Sequence, residues 1–135
     1  PPILNTHSIA EGEEIVVEGA GGTITLKPFE QQHGSITSLG FRIGKLAYSC
    51  DLSGVPETSH WAIEDLDTWI LDALRYTPHP SHLDLEQALA LIEMHRPHQA
   101  VLTNLHVDMD YVILDGETPD HVTPAFDGME IAIRV

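Results

Sequence analysis

Four short runs rich in β-branched and apolar residues, punctuated by glycine, commit the first fifty positions to a sheet. Glu14-Ile15-Val16-Val17 and Thr23-Ile24-Thr25-Leu26-Lys27-Pro28-Phe29 flank Glu18-Gly19-Ala20-Gly21-Gly22, where glycine supplies the positive φ that a reversal needs. That predicts a hairpin. Ser38-Leu39-Gly40-Phe41-Arg42-Ile43 and Leu46-Ala47-Tyr48-Ser49-Cys50, joined through Gly44-Lys45, predict a second one with its register fixed by a short turn.

Beyond residue 57 the pattern changes. From Thr58 to Tyr76, Ala62, Leu66, Trp69, Ile70, Ala73 and Leu74 recur at about 3.6 residues, with Glu64, Asp65, Asp67 and Asp72 mainly off the stripe, which predicts an amphipathic helix. A loop with Pro78-His79-Pro80-Ser81-His82 leads to a second helix. Its N-cap is Asp84, with Gln87 three residues on, and Arg96-Pro97 forces its end. The run Gln99 to Leu102 predicts a buried strand, Asp110 to Leu114 an irregular or short helical stretch, and Glu130 to Val135 a closing strand.

Length and charge narrow the function classes. A chain of 135 residues, 42% apolar, supplies one core. No run approaches the roughly 20 apolar residues of a membrane helix, and no basic-then-apolar leader opens the chain. Cys50 stands alone, which fits a reducing compartment and points to a cytoplasmic protein. Against 21 acidic residues there are 6 basic ones, scattered singly, so a groove for polynucleotide phosphates is not expected. The opening Pro1-Pro2-Ile3 carries no initiator Met, and the reading is that the numbering starts inside a longer protein.

Three residues at the ends of predicted strands are the candidate metal ligands. His106 follows the apolar run ending at Leu102, Asp51 directly follows Leu46–Cys50, and His33 lies a few residues beyond Phe29. Ligands of open α/β sheets gather where strands surface at their carboxyl ends. Taken singly, each residue also reads as an ordinary loop histidine or a turn-forming aspartate. Asp108 and Asp110 are candidate acceptors for the second ring nitrogen of His106. The remaining histidines lack context: His79 precedes a proline in a loop, His95 and His98 flank a helix end, and His7, His60 and His121 stand apart.

The ordered set His33, Asp51, His106 resembles the C-terminal half of the metallo-β-lactamase superfamily, in which a His, a metal-bridging Asp and a final His occur in these contexts. Tyr48-Ser49-Cys50-Asp51 is similar to the family's Tyr-Ser-Gly-Asp segment with Cys in place of Gly, and Thr103-Asn104-Leu105-His106 to its final strand end. His82-Leu83-Asp84-Leu85-Glu86-Gln87-Ala88 resembles the His-x-x-x-Glu-Gln-Ala stretch of the phosphodiesterase branch, which includes ribonuclease Z and the phosphoribosyl cyclic phosphodiesterases. The likeness runs from about Thr23 onward. The family's His-x-His-x-Asp-His signature is absent from the chain.

What the resemblance implies is an α/β fold, half of an αββα sandwich, with mostly antiparallel strands followed by two helices and C-terminal strands. It implies one unit over residues 1–135, part of a larger metallohydrolase that binds two divalent ions, zinc or manganese. His33, Asp51 and His106 would hold metal, and His82 would act in catalysis near the scissile bond of a small cyclic or nucleotide-like phosphodiester. The expected partner is a missing N-terminal half or a second copy in a homo-oligomer, with no membrane. Two other classes stay open: a metallohydrolase of thioester or β-lactam type, and a noncatalytic fragment or protein-binding module.

Overall fold

Seven strands lie in one sheet in the order of the sequence, β1 (Ile15–Gly19), β2 (Gly22–His33), β3 (Ile36–Ile43), β4 (Leu46–Ser49), β5 (Thr68–Asp72), β6 (Gln99–Thr103) and β7 (Val122–Pro124). The computed structural model describes residues 3–133. Strands β1 to β4 pair antiparallel through tight turns, and β4 to β7 pair parallel. Parallel neighbours cannot be joined by a hairpin. The crossovers are a 3-10 helix (Glu57–Ala62), helix α1 (Leu85–His95) and helix α2 (Tyr111–Glu117).

The main core lies on one face of the sheet. Ala47, Trp69, Leu71, Ala100 and Leu102, all fully buried, pack with Ile63, Leu66, Leu85, Ala88, Ile92 and Leu114 from the crossovers. Trp69 satisfies its indole N–H on the Ser49 hydroxyl, 3.0 Å away, as a buried indole must. Helix α1 starts as its sequence predicts, with a reciprocal capping box between Asp84 and Gln87, and ends with Arg96 in the left-handed region. The pairing of β2 with β3 sets Phe29 against Gly40. A Cβ at Gly40 would lie 2.3 Å from Phe29 Cζ and 2.5 Å from Gln31 Oε1, so only glycine lets the aromatic ring lie on the neighbouring strand.

Two predicted elements differ from the sequence reading. The helix expected over Thr58–Tyr76 is instead a 3-10 helix and strand β5. Trp69, Leu71 and Ala73 face the core at two-residue spacing, while Thr68 and Asp72 are buried on the opposite side. A central parallel strand is buried on both faces and shows no clean alternation, so its apolar residues fall by chance on a helical stripe. The closing strand expected over Glu130–Val135 does not form over residues 130–133; Arg134 and Val135 lie outside the described residues. The last strand is β7, which pairs with β6. The expected α/β fold is present, with its antiparallel part in β1 to β4 and parallel pairing from β4 to β7. Among the described residues no helix is long and apolar enough to cross a membrane.

Candidate metal centre

The carboxyl ends of β2, β4, β5 and β6 open on the same edge of the sheet, because β2 and β4 each pair antiparallel with β3 and β4 to β6 run parallel. That edge delivers His33 as the last residue of β2, Asp51 two residues past β4, Asp72 as the last residue of β5 and Asn104 as the first residue past β6. His82 enters from the loop between β5 and α1. One ligand atom from each of His33, Asp51 and His82 lies within 4.8 Å of the others.

Backbone hydrogen bonds stitch these three segments together. Ser53 N–H donates to Gln32 O at 2.7 Å, Gln32 N–H to Gly54 O at 2.9 Å, and Leu83 N–H to Leu52 O at 2.9 Å. The turn after His33 docks tightly on the His82 loop: a Cβ on Gly34, whose φ is +62°, would meet Ser81 Cβ at 2.9 Å. Asp51 itself takes φ +57°, a left-handed conformation that aspartate tolerates better than most residues.

Each histidine has one ring nitrogen fixed by a partner. His33 Nδ1–H donates to Ser81 O at 2.7 Å, which leaves Nε2 with its lone pair, the form that binds a metal. His82 Nδ1 meets Asp72 Oδ2 at 2.5 Å and lies 3.9 Å from Asp51 Oδ1. Asp72 is fully buried, and its other oxygen accepts from Asn104 Nδ2 at 3.2 Å. A buried carboxylate is sustained only by such partners. The ring of His79 lies 5.1 Å from that of His82. Burial, then the nearby charge of Arg75, push the His79 imidazole below its ordinary range. Burial pushes the Cys50 thiol above its usual value, so it is neutral near pH 7.

His33 and Asp51 thus converge as the sequence pattern expects, and His82 joins them. His106 stands outside this group of three. Its backbone N–H donates to Leu74 O at 2.8 Å, and its half-exposed ring sits with Nδ1 3.1 Å from Asp108 Oδ2. Asp108 is therefore its carboxylate neighbour, while Asp110 caps α2 by accepting from Val112 and Ile113 N–H. Sequence reasoning missed Asp72 and Asn104. Asp72 follows the apolar run Trp69–Leu71 as Asp51 follows β4, and is hidden in the sequence because that run falls on a helical stripe.

The donors are imidazole nitrogen and carboxylate oxygen, a combination suited to a divalent transition metal rather than to soft or all-oxygen sites. His33 and Asp51 offer a nitrogen and carboxylate oxygens that fit a divalent ion, with an imidazole nitrogen of His82 within 4.8 Å of both.

The model of the β-lactamase superfamily domain matches residues 1–106. A solved structure of a diphosphatase from the PhnP family superposes with a TM-score of 0.86 at 27% identity, over 93% of this chain and 48% of that one. Human tRNase Z, short form, superposes with a TM-score of 0.63 at 22% identity, over 83% of this chain and 43% of that one; at that identity the likeness concerns the fold. An octanoyltransferase of Porphyromonas gingivalis (strain ATCC BAA-308 / W83) is 27% identical over 120 residues, which cover 82% of this chain and 23% of that protein. The chain therefore spans less than half the length of each of these relatives.

Proposed function

The chain belongs to the β-lactamase superfamily domain family, and from that premise we propose that it forms one side of a divalent-metal site that hydrolyses a small phosphodiester. The observation behind this reading is the convergence of His33, Asp51 and His82 on the sheet edge, with the buried Asp72 behind His82. The structural likeness to a diphosphatase supports phosphoryl rather than acyl chemistry. The octanoyltransferase shares too little of its length with this chain to lend its reaction.

In this reading His33 and Asp51 hold the metal, zinc or manganese, and His106 supplies a further nitrogen from the loop after β6. Asp51 would offer its two carboxylate oxygens to bound metal, and a second ion would need other ligands from outside residues 1–135. Those residues are then one unit of a larger metallohydrolase. A bound divalent ion supplies Lewis acidity, which acidifies water and offsets charge on the phosphoryl group.

His82 carries the proton. Its Nδ1–H is held by Asp72, so the second ring nitrogen is the one free to take a proton from the attacking water and pass it to the departing oxygen. Beside His33 the cleft, about 590 Å³, is lined by Gly34, Ser35, Ile36, Ser53, Pro80 and Ser81. It has no Lys or Arg, and the chain has a formal charge of -15. Both features favour a short substrate with few phosphates over a polynucleotide.

The test is hydrolysis of bis(p-nitrophenyl) phosphate by the zinc- or manganese-loaded protein, with a thioester and a β-lactam as competitors. Asp51→Ala is expected to remove metal and turnover together. His82→Ala is expected to lower kcat about 100-fold or more while metal content stays. Loss of metal in His82→Ala would make it a ligand instead, and turnover of the thioester alone would overturn the phosphodiester assignment.

A further inference from the structure

We propose that Gln31 and Ser38 are positioning residues that set the Asp51 carboxylate for metal binding by gripping the two carbonyls on either side of the Asp51 N–Cα bond. The inference rests on Asp51 being a ligand, as read above. Gln31 and Ser38 face each other across the β2–β3 pair. Gln31 Nε2 donates to Cys50 O at 3.1 Å and to Ser38 Oγ at 3.2 Å, and Ser38 Oγ donates to Asp51 O at 2.7 Å. The amide thus spends both of its hydrogens on one short chain of bonds that ends at Asp51.

Two features make this more than ordinary turn packing. Gln31 is fully buried, and its Oε1 has no hydrogen-bond partner. A buried unpaired oxygen is costly, and an apolar side chain of the same shape would avoid that cost. Gly40 also clears the space: a Cβ there would lie 2.5 Å from that Oε1. The carbonyls held by this pair belong to Cys50 and Asp51, and Asp51 takes φ +57°. Unfavourable backbone geometry persists where surrounding groups over-determine it. Fixing both flanking peptide planes fixes the direction in which the Asp51 side chain leaves the backbone, and outer partners of this kind tune how tightly a ligand holds its metal.

The experiment measures zinc or manganese affinity by chelator competition in the protein at full length, alongside the melting temperature in excess chelator. Gln31→Met keeps the length of the side chain and removes its donors; Ser38→Ala removes the second link, and Ser38→Thr keeps a hydroxyl. We expect Gln31→Met and Ser38→Ala each to weaken the metal Kd about 10-fold, with metal-free melting within a few degrees of the parent, and Ser38→Thr to restore affinity. Native affinity in both weakened variants, or a Ser38→Thr no better than Ser38→Ala, would overturn the inference. Asp51→Ala separates the two readings: if it abolishes binding while the others bind normally, only the positioning role falls. If Asp51→Ala binds normally, both fall. Should Gln31→Met not fold, the Ser38 pair decides.

Discussion

Asp72 and His82 form a closed pair: the carboxylate of Asp72 is wholly out of water, and its Oδ2 meets His82 Nδ1 at 2.5 Å while its Oδ1 is held by Asn104. Among the described residues four non-glycine residues are left-handed, and two of them, Asp51 and Asn104, flank Asp72 on adjacent strand ends.

The pair makes a sharp prediction for Asp72→Asn. The amide keeps the shape of the carboxylate but can present its NH₂ to His82, which removes the charge and permits the wrong ring tautomer. Turnover is expected to fall by about 10²- to 10⁴-fold with metal content unchanged, as read by steady-state kinetics and metal analysis on one preparation. Asp72→Ala should in addition cost about 3–5 kcal/mol of stability, because breaking a buried pair leaves its partner without compensation.

The sheet edge was legible only in part from the sequence. Hairpin glycines, the Asp84–Gln87 capping box and the Arg96–Pro97 stop are local signals, and the elements they mark stand where local chemistry puts them. His33 and Asp51 are legible because each follows an apolar run. Asp72 is not legible in the same way, because β5 is buried on both faces and its two-residue period is lost in a helical stripe. Its partner Asn104 gave no local signal at all, since its role comes from a contact with a residue 32 positions away. The inclusion of His82 with His33 and Asp51 is likewise a property of how loops dock across the sheet edge.

Gly40 is expected to be intolerant of the smallest side chain. With Phe29 Cζ 2.3 Å from the position of a Cβ, Gly40→Ala must shift either the ring or the strand. Overpacking of this kind costs about 1–3 kcal/mol. Urea denaturation should show a lower midpoint with an unchanged slope.

His95, the last residue of α1, predicts an acid sensitivity separate from the metal residues. Burial pushes its imidazole below the ordinary value of 6.5, the neighbouring His60 adds to that, and Glu64 opposes it. The ring of His95 lies 5.0 Å from that of His60 and 5.8 Å from that of Trp69, and its Nε2 is buried without a partner. Because the folded value is depressed, the unfolded chain binds more protons on acidification. This stability is fully present above 6.5 and is lost as pH falls from there through the folded value. Urea midpoints measured from about pH 7.5 down to about pH 5 should fall less steeply in His95→Phe than in the parent.

The face of the sheet opposite the main core yields the last prediction. Phe41, Tyr48, Ile70 and Val101 lie in register across four neighbouring strands; Val101 is 1% exposed, but Tyr48 is 41% exposed. Apolar side chains are thus aligned over β3 to β6 and covered at only one end. A contiguous stripe of this kind is an association surface, and the chain spans 48% of the diphosphatase it superposes on. Residues 1–135 expressed alone should therefore sediment as a concentration-dependent dimer or larger assembly. Placing charge in the stripe with Tyr48→Lys and Ile70→Glu should shift that distribution toward monomer, since burying an unpaired charge at a contact is unfavourable. A parent chain that stays monomeric at high concentration and unfolds cooperatively would show that this face needs no cover, and would count against residues 1–135 being one part of a larger folded unit.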